Sequence, residues 1–380
     1  MATMIAARLH TVGQPMRFDE IPIPEPRPTD VLVEVQACGI VPNLIKVIAN
    51  VYGQGMTENK VLPSLPAIFG LDATGIVNKV GNLVRSVRPG DRVYINPART
   101  CGSCLMCRTA RPMQCPSFSY QGYMGRSREV MAAYPYGGLC QYVTAPQDSL
   151  IVLPENVSFE NAARFGYLGT AYSAAKSVRV GPGRSVLING VSGMLGLNAA
   201  MSALALGASK ILGTGRNQEL LNRVKALAPN RISVLPLKAQ EMTANIADDP
   251  LFAWVKSETD GYGADMMIDC LPPGAPPETM LRGIYSLCRG GRAVSIGAVL
   301  DRLSLDIAWM GTNRVGLAGS TWFTTAEGQE MTALVSAGVL DMSVLEHRTY
   351  PLGQINEALA SMDNRSGGFT NFVVHSSRLA

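Results

Sequence analysis

Four cysteines lie close together in a segment that also contains glycine and proline, and their spacing suits a metal ion. Cys101, Cys104 and Cys107 are separated from one another by two residues, and Cys115 follows after seven more. Four thiolates satisfy the tetrahedral coordination of zinc, and a site filled entirely by protein ligands has no open position for a substrate or water. The spacing therefore predicts one structural zinc per chain.

Disulfide bonds and an iron–sulfur cluster are the alternatives for this segment, because cysteines at similar spacing also occur in iron–sulfur proteins. The remaining cysteines stand singly in apolar surroundings and are expected to be small buried residues rather than nucleophiles. They are Cys38, Cys140, Cys270 and Cys288. Cysteines that bind a metal rather than form disulfides also indicate that the protein resides in a reducing compartment.

A second set of residues has the spacing of a phosphate-binding turn. Three glycines, Gly190, Gly193 and Gly196, stand three residues apart between an apolar run and a helix-forming stretch. Glycine permits a tight turn and close approach of the backbone to a pyrophosphate, which the N–H groups at the helix N-terminus then bind. An ordinary glycine-rich turn is the alternative. The predicted dinucleotide contacts here are Gly190, Ser192, Gly193, Met194 and Leu195.

The end of the next strand candidate indicates which dinucleotide is bound. NAD-selective enzymes carry an acid about 20 residues after the glycine motif, where it accepts a hydrogen bond from the ribose 2′-hydroxyl. Here the strand candidate ends in Gly215, Arg216 and Asn217. An acid would repel a 2′-phosphate, whereas Gly215 leaves room for it and the Arg216 guanidinium can bind it through charge-assisted hydrogen bonds. The sequence favours NADPH, with a merely solvated Arg216 as the alternative.

Two kinds of structure must position these groups. Residues 1–163 contain short apolar stretches separated by proline and glycine, a pattern typical of a β-rich domain. Across residues 164–320, short apolar runs alternate with helical stretches, as in a parallel sheet with crossover helices. Residues 321–380 are expected to return to the first domain. We therefore predict an α/β protein in which a β-rich substrate domain accompanies a Rossmann-type, doubly wound parallel sheet that binds the cofactor.

Length, composition and charge restrict the class of protein. A chain of 380 residues exceeds what one core usually organises, and its 47% hydrophobic and 16% charged residues are typical of a folded globular protein. The net charge of +4 is small and the basic residues are scattered, so neither nucleic acid nor a membrane is expected as a partner. No apolar run is long enough to span a bilayer or to serve as a secretory signal. We expect a soluble, cytoplasmic protein that acts on a small molecule.

Together these motifs resemble those of the zinc-containing alcohol dehydrogenases, a branch of the medium-chain dehydrogenase/reductase superfamily. The resemblance covers essentially the whole chain and includes residues 37–39, 89–93, 137–143 and 169–172 beside the cysteine and glycine motifs. It implies a GroES-like substrate domain, a Rossmann domain, an active-site cleft between them, oxidoreductase activity, and a homodimer or homotetramer.

The chain departs from this family at the catalytic zinc. The positions that correspond to the family's three ligands are Val41, Leu71 and Gly166, and none of these side chains can bind a metal. The histidines of the chain fall in no ligand-like pattern; they are His10, His347 and His375. The comparison with the family implies that the structural zinc is kept and that there is no catalytic zinc.

A missing catalytic zinc restricts the chemistry, because hydride transfer between an alcohol and a ketone then loses the stabilisation that a Lewis acid supplies. An activated C=C or C=N acceptor of the enone, quinone or iminium type needs less assistance, since it spreads the incoming charge or already carries a positive one. The alternative is a metal-free carbonyl reductase or alcohol dehydrogenase that uses a side-chain donor. A third hypothesis is an NADPH-binding protein without turnover.

Several side chains could replace the metal or line the pocket. Asn43 and Lys46 correspond to the family's proton relay and Tyr52 lies just beyond, although each could equally cap a helix or solvate a loop. Asp72 corresponds to an acid beside the family's zinc and is expected to keep a structural hydrogen bond. A pocket for an apolar or aromatic substrate is expected from Leu71, Tyr167, Trp309, Trp322 and Phe323.

The resemblance also implies further cofactor contacts. Thr170 is expected near the nicotinamide or the phosphates, and Ser320 near the carboxamide. Asn371 stands where the family often carries an arginine that reaches the pyrophosphate. The carboxyl ends of later strands, where such clefts lie, contribute Leu271, Ile296, Gly297 and Ala298.

Overall fold

The computed structural model describes residues 2–50, 60–237 and 248–377. Its first part is a β-rich domain built on two long strands, β3 (Asp30–Gly39) and β5 (Asp72–Val80), which pair in antiparallel fashion. Apolar residues are buried along nearly all of β3 and along the first half of β5, so these strands form the centre of a seven-stranded sheet.

The other strands of the first domain surround this pair. They are β1 (Thr3–Leu9), β2 (Arg17–Pro22), β4 (Ala67–Ile68), β6 (Arg92–Ile95), β7 (Ala98–Arg99), β8 (Ser119–Tyr120), β9 (Tyr142–Pro146) and β10 (Leu150–Val152). The helices of this part are short: α1 (Leu44–Ile48), α2 (Leu105–Arg108), α3 (Arg128–Ala132) and α4 (Phe159–Ala162).

The second part alternates strand and helix after a leading helix, α5 (Phe165–Ser177). Its strands are β11 (Ser185–Asn189), β12 (Lys210–Gly215), β13 (Ile232–Pro236), β14 (Ala264–Asp269), β15 (Leu287–Ser295) and β16 (Gly316–Gly319). The helices between them are α6 (Met194–Ala205), α7 (Gln218–Ala226), α8 (Pro250–Glu258), α9 (Pro277–Tyr285) and α10 (Ile307–Asn313).

These six strands form one parallel sheet in the order β13-β12-β11-β14-β15-β16. The order reverses at β11, which makes the carboxyl end of that strand the switch point where doubly wound sheets bind their ligands. The predicted α/β class, a β-rich domain with a Rossmann-type sheet, is confirmed.

The last elements are α11 (Thr325–Ser336), β17 (Glu346–Pro351), α12 (Ile355–Ala360) and β18 (Thr370–His375). β18 pairs with β17 on one side and with the end of β3 on the other, where Val374 lies opposite Cys38. The last described strand therefore belongs to the sheet of the first domain. None of the helices in the described part of the chain has the length and apolar character needed to cross a lipid bilayer.

Candidate active site

The glycine turn after β11 requires glycine at two of its positions. Gly190 has a φ of +72°, and a Cβ atom on Gly196 would lie 2.1 Å from the carbonyl oxygen of Gly190. Gly193 precedes α6 and has no side chain to cap it, so the N–H groups of the first helical turn are available to a ligand. The turn thus has the bare backbone and helix N-terminus that suit the pyrophosphate of a dinucleotide.

The end of β12 lies beside this turn. A Cβ atom on Gly215 would be 3.0 Å from the hydroxyl oxygen of Ser192, so a longer side chain there would crowd the turn. Arg216 is exposed to solvent. Asn217 caps α7, because its Oδ1 atom accepts a 3.1 Å hydrogen bond from the amide of Leu220. Arg216 is consequently an exposed cation at this strand end.

The structure brings together the other predicted contacts at the carboxyl ends of β14 and β15. The amide of Ala298 donates to the carbonyl oxygen of Leu271 at 2.9 Å, and the amide of Ser320 donates to that of Ser295 at 3.0 Å. A Cβ atom on Gly297 would be 2.5 Å from the carbonyl oxygen of Leu271. Ile296, between them, is buried. These residues lie together at the carboxyl edge of the parallel sheet, next to the glycine turn.

The three positions that correspond to catalytic-zinc ligands also lie together. Gly39 pairs with Asp72, so Val41, just beyond β3, and Leu71, just before β5, are at the same end of the sheet. Val41 is 5% exposed and Leu71 is 7% exposed. A Cβ atom on Gly166 would lie 2.3 Å from Oδ1 of Asp72. Two buried hydrocarbon side chains and a glycine thus occupy the three ligand positions, and the glycine lies against the carboxyl group of Asp72.

Asp72 is buried and held by polar partners. The hydroxyl of Tyr94 donates a 2.7 Å hydrogen bond to its Oδ1 atom. Burial raises the pKa of Asp72 to about 7, although Tyr94, the backbone N–H of Gly166 and the positive charge of Arg164 each act to lower it. Burial and the neighbouring Asp72 also raise the pKa of Tyr94 well above its usual value, so Tyr94 remains a hydrogen-bond donor. The expected structural hydrogen bond of Asp72 is present, in a setting where the acid can hold a proton near neutral pH.

Trp322 covers the same place from the other side. A Cβ atom on Gly166 would lie 2.8 Å from Cη2 of its indole. The indole N–H donates to Oδ1 of Asn96 at 2.8 Å, and its ring stacks on Phe323 with centroids 5.2 Å apart. Trp322 has a φ of +63°, a strained conformation for a bulky residue that its contacts must maintain. Phe323 is fully buried, so it supports Trp322 rather than facing a ligand.

Two tyrosines of the first domain, missed by the sequence analysis, complete this region. The hydroxyl of Tyr123 donates to Oδ1 of Asn43 at 2.5 Å. Tyr120 meets Trp322 edge-to-face, with ring centroids 4.9 Å apart, and lies 6.3 Å from the ring of Tyr123. Tyr120 ends the two-residue strand β8 and Tyr123 lies in the loop that follows, so no periodicity marks either of them and only their residue type could have drawn attention to them. Asn43 thus has a phenol partner that can take part in proton transfer.

Some predicted residues lie elsewhere. Lys46 is on the exposed side of α1, because Leu44, Val47 and Ile48 take its buried side. Thr170, in contrast, lies close to Gly166, because its hydroxyl donates a 2.8 Å hydrogen bond to the carbonyl oxygen of Gly166. Tyr52 lies outside the described residues.

Trp309 and Asn371 also lie away from the crevice, by which we mean the region around Asp72, Gly166 and Trp322. Trp309 packs edge-to-face on Tyr285, 4.7 Å between centroids, and lines a cavity of about 750 Å³ at the amino ends of the parallel strands. This is the sheet edge opposite the glycine turn, because α10 carries Trp309 back towards the start of β15. Asn371 is buried and donates to the carbonyl oxygen of Glu160 at 2.8 Å. The backbone of Gly368 contacts the glycine turn instead, through a 2.8 Å hydrogen bond from its amide to the carbonyl oxygen of Ser192.

The histidines are likewise committed outside this region. Their hydrogen-bonding or charged partners are Asp19 for His10, Asn161 for His347, and Glu160 for His375. A zinc site in the crevice would need ligands other than these.

The four-cysteine segment has the geometry of a zinc site. The sulfur atoms of Cys104 and Cys107 are 3.5 Å apart, those of Cys101 and Cys115 are 3.6 Å apart, and all four lie within 4.8 Å of one another. Tetrahedral zinc with bonds of about 2.3 Å requires sulfur–sulfur distances of about 3.8 Å. Backbone N–H groups of Ser103 and Cys104 lower the pKa of Cys101 to about 6, which favours the thiolate. Across residues 2–50, 60–237 and 248–377, no other group of three His, Cys, Asp or Glu side chains is arranged to hold a metal.

Comparison with known proteins agrees with this architecture. Residues 27–155 match the alcohol dehydrogenase GroES-like domain, and residues 195–337 match the zinc-binding dehydrogenase family. The chain is 30% identical to a probable D-xylulose reductase A of Aspergillus clavatus over 87% of this chain and 86% of the relative. It is 25% identical to the sorbitol dehydrogenase of Bacillus subtilis over 94% and 92% of the two chains.

A solved structure, the alcohol dehydrogenase TADH from Thermus sp. ATN1, shares the fold with a TM-score of 0.80 at 24% identity, covering 98% of this chain and 100% of that one. Family matches, curated relatives and fold therefore agree, and the chain is an oxidoreductase that belongs to the zinc-type alcohol dehydrogenase family of the medium-chain dehydrogenase/reductase superfamily.

Proposed function

We propose that this protein is an NADPH-dependent reductase of an activated C=C or C=N bond that works without a catalytic zinc. The observation that carries the proposal is that Val41 and Leu71, both buried, and Gly166, which lies against Asp72, stand at the three ligand positions. Neither an alkyl side chain nor glycine offers a metal ligand atom, so charge at the substrate must be managed by the protein.

The cofactor is proposed to lie along the carboxyl edge of the parallel sheet. The backbone of Gly190 to Leu195 holds the pyrophosphate, and the edge formed by Leu271 and residues 296–298 faces the nicotinamide. Arg216 binds the 2′-phosphate in place of the acid that would select NAD. When bound, NADPH supplies a hydride.

The substrate class follows from the missing Lewis acid and from the wall of the crevice. Trp322 places its indole beside Gly166, one of the three ligand positions, so an apolar or aromatic substrate fits better than a polyol. A conjugated double bond delocalises the charge that hydride addition creates, and this reduces the need for a metal. Tyr123 and Asn43 orient the polar end of such a substrate.

The four-cysteine segment is proposed to hold one structural zinc. Cys101, Cys104, Cys107 and Cys115 already have sulfur–sulfur distances that suit it. The metal would fix a lobe whose helix α2 has only four residues and could not be stable alone.

A metal-free carbonyl reductase is the second candidate, because the named activities of two curated relatives, D-xylulose reductase and sorbitol dehydrogenase, concern polyols and ketoses. In that case the hydroxyl of Tyr123 would polarise the carbonyl directly.

The two candidates separate in one assay. NADPH oxidation is followed with pairs of acceptors that differ only in conjugation, an enone and its saturated ketone, and with cyclic iminium ions. We expect turnover of the enone or iminium and none of the ketone; turnover of ketones alone would reject the proposal in favour of carbonyl reduction. NADPH binding without any turnover would indicate a binding protein.

Metal analysis of the purified protein tests the other half of the proposal. One zinc per chain is expected, whereas two would show that the crevice binds a metal after all.

The edge strand β16 suggests how two copies assemble. Gly316, Ala318 and Gly319 are exposed on this strand, which has one neighbour, β15, in the described sheet. Because an exposed edge invites pairing with another strand, we propose that two chains join here to form a dimer. The N–H of Gly319 faces the free edge, because that of the next residue, Ser320, donates to β15. Sedimentation of the wild type and of Gly319→Pro, which cannot donate a hydrogen bond along the edge, tests this; a wild-type monomer would reject it.

A further inference from the structure

Asp72 occupies the space that a side chain at position 166 would take. A Cβ atom on Gly166 would lie 2.3 Å from Oδ1 and 2.8 Å from Oδ2 of Asp72, far inside normal contact distance. The glycine and the carboxyl group are therefore complementary: the missing side chain at position 166 leaves the space that the carboxyl group of Asp72 fills.

We propose that Asp72 is a catalytic residue whose carboxyl group donates the proton that completes the reduction. This rests on the proposed function, since a proton donor is required at the place where the metal is missing. Hydride addition to the β-carbon of an enone leaves an enolate, and the α-carbon must then gain a proton.

The step balances as follows. The O–H bond of the Asp72 carboxyl breaks, a C–H bond forms at the substrate's α-carbon, and Asp72 is left as a carboxylate that accepts the hydrogen bond of Tyr94. Water returns the proton after the product leaves. NADPH is the only reductant consumed.

The groups around Asp72 suit a donor that must change its protonation state. Tyr94 faces it from β6, Arg164 from the start of α5, and the thiol of Cys38 from β3, while Gly166 offers its backbone N–H. Tyr94, Gly166 and Arg164 stabilise the carboxylate that forms. Burial raises the pKa of Cys38 well above its usual value, so this thiol does not compete as a charged group.

The pKa of Asp72 near neutrality makes the proposal testable by pH. Burial raises this pKa to about 7, so the carboxyl is protonated below that pH and loses its proton above it. Activity that depends on the protonated acid must decline as the pH rises through 7. Removing the Tyr94 hydrogen bond, which lowers the pKa, must move this decline to higher pH.

The chain offers a matched control at the other end of β3. There the hydroxyl of Tyr134 donates a 2.9 Å hydrogen bond to Asp30, which is also buried. Asp30 lies nine residues before Gly39, the partner of Asp72, or roughly 30 Å along an extended strand. Asp30→Asn therefore breaks a similar tyrosine–aspartate pair without touching the crevice.

The experiment measures kcat and kcat/KM against pH for the wild type, Asp72→Asn, Tyr94→Phe and Asp30→Asn, with NADPH and the best enone. We expect Asp72→Asn to lose about 100-fold or more in kcat and to show no decline near pH 7. Tyr94→Phe is expected to keep the decline but at higher pH, and Asp30→Asn to match the wild type. A wild-type rate and pH profile in Asp72→Asn would overturn the proposal.

A second measurement does not depend on turnover. Protein labelled with ¹³C at the aspartate carboxyl carbon is titrated by NMR with and without NADP⁺, and the Asp72 signal is identified by its loss in Asp72→Asn. We expect its pKa to lie near 7 and to rise in Tyr94→Phe. If Asp72→Asn does not fold, the Asp72 signal is identified instead as the one whose titration changes in Tyr94→Phe. A signal that titrates near the ordinary value of about 4 would reject the proton donor. If no acceptor is reduced at all, the proposed function itself fails and this inference with it.

Discussion

The guanidinium group of Arg164 donates a 2.6 Å hydrogen bond to the carbonyl oxygen of Gly368, and both groups are buried. The amide of Gly368 donates in turn to Ser192 in the glycine turn. Arg164 also lies over the ring of Tyr167, 5.1 Å from its centroid, and its charge acts on Asp72. One buried cation thus connects the surroundings of Asp72 with the turn that is proposed to bind the cofactor.

Replacing Arg164 by methionine is expected to weaken both folding and cofactor binding. The carbonyl oxygens of Gly368 and Thr370 lose their charged donor, which costs about 2–4 kcal/mol of unfolding free energy. The glycine turn also loses support, so the Kd for NADPH rises. Urea unfolding and a fluorescence titration with NADPH measure the two effects.

Arg99 is the control for this variant, because it is an equally buried arginine that bonds the carbonyl oxygens of Asn96 and Ala98. Arg99→Met should lose stability while its NADPH affinity stays unchanged. If both variants bind NADPH as tightly as the wild type, Arg164 has no influence on the turn.

Cofactor selectivity should depend on Arg216. Arg216→Ala removes the charged partner of the 2′-phosphate and is expected to raise the KM for NADPH about 10–100-fold while changing that for NADH little. Lys225→Ala, an exposed cation on α7, serves as the comparison. A wild-type preference in Arg216→Ala would leave the choice of cofactor to other residues.

The sequence was sufficient for the parts of the fold that depend on local pattern. The glycine turn and the parallel strands follow from residue spacing and apolar runs. Asn217, which the sequence predicts as a cofactor contact, caps helix α7 in the structure. Strand β17 was missed because its residues are mostly exposed and do not alternate between apolar and polar. Its position is set by pairing with β18, which no local pattern encodes.

The candidate site was predictable only where a motif marks it. That Asp72 fills the space at Gly166 depends on a contact between residues 94 positions apart in the sequence. The contact between Gly166 and the indole of Trp322 is also between residues that are distant in the sequence. The sequence predicts Trp309 and Trp322 as residues of one pocket on residue type alone. In the structure α10 places Trp309 against Tyr285, whereas Trp322 packs on Phe323. Pairings such as Tyr123 with Asn43 require the tertiary structure.

Loss of one sulfur ligand should release the zinc and loosen its lobe. Cys107→Ser is expected to lower the zinc content from about one per chain towards zero and to lower the melting temperature, because a structural zinc contributes directly to folding. Cys288→Ser, a half-buried cysteine outside the lobe, should retain both. Stoichiometric zinc in Cys107→Ser would contradict the four-thiolate site.

The stability of the protein should depend on pH through Asp72. Its pKa is about 7 when folded and about 3.9 when unfolded, so between these values the folded chain holds a proton that the unfolded chain has lost. The free energy of unfolding therefore falls as the pH rises from 4 to 7, by up to about 4 kcal/mol from this group, and levels off above pH 7. Urea unfolding of the wild type and Asp72→Asn at pH 5 and pH 8 should show the asparagine variant gaining relative stability at the higher pH. An equal difference at both values would mean that Asp72 titrates normally.

Finally, Gly166→Ala should destabilise the protein even though alanine favours helices. Gly166 is the second residue of α5, where alanine alone would stabilise the helix by up to about 1 kcal/mol. Its Cβ would instead meet Asp72 at 2.3 Å and Trp322 at 2.8 Å, and such overpacking costs about 1–3 kcal/mol. Gly181→Ala is the matched control, because the nearest atom to its Cβ would be 4.0 Å away. Urea unfolding should show a loss in Gly166→Ala and little change in Gly181→Ala, with reductase activity falling only in the former. A Gly166→Ala protein as stable and active as the wild type would show that the carboxyl group of Asp72 is not held against this glycine.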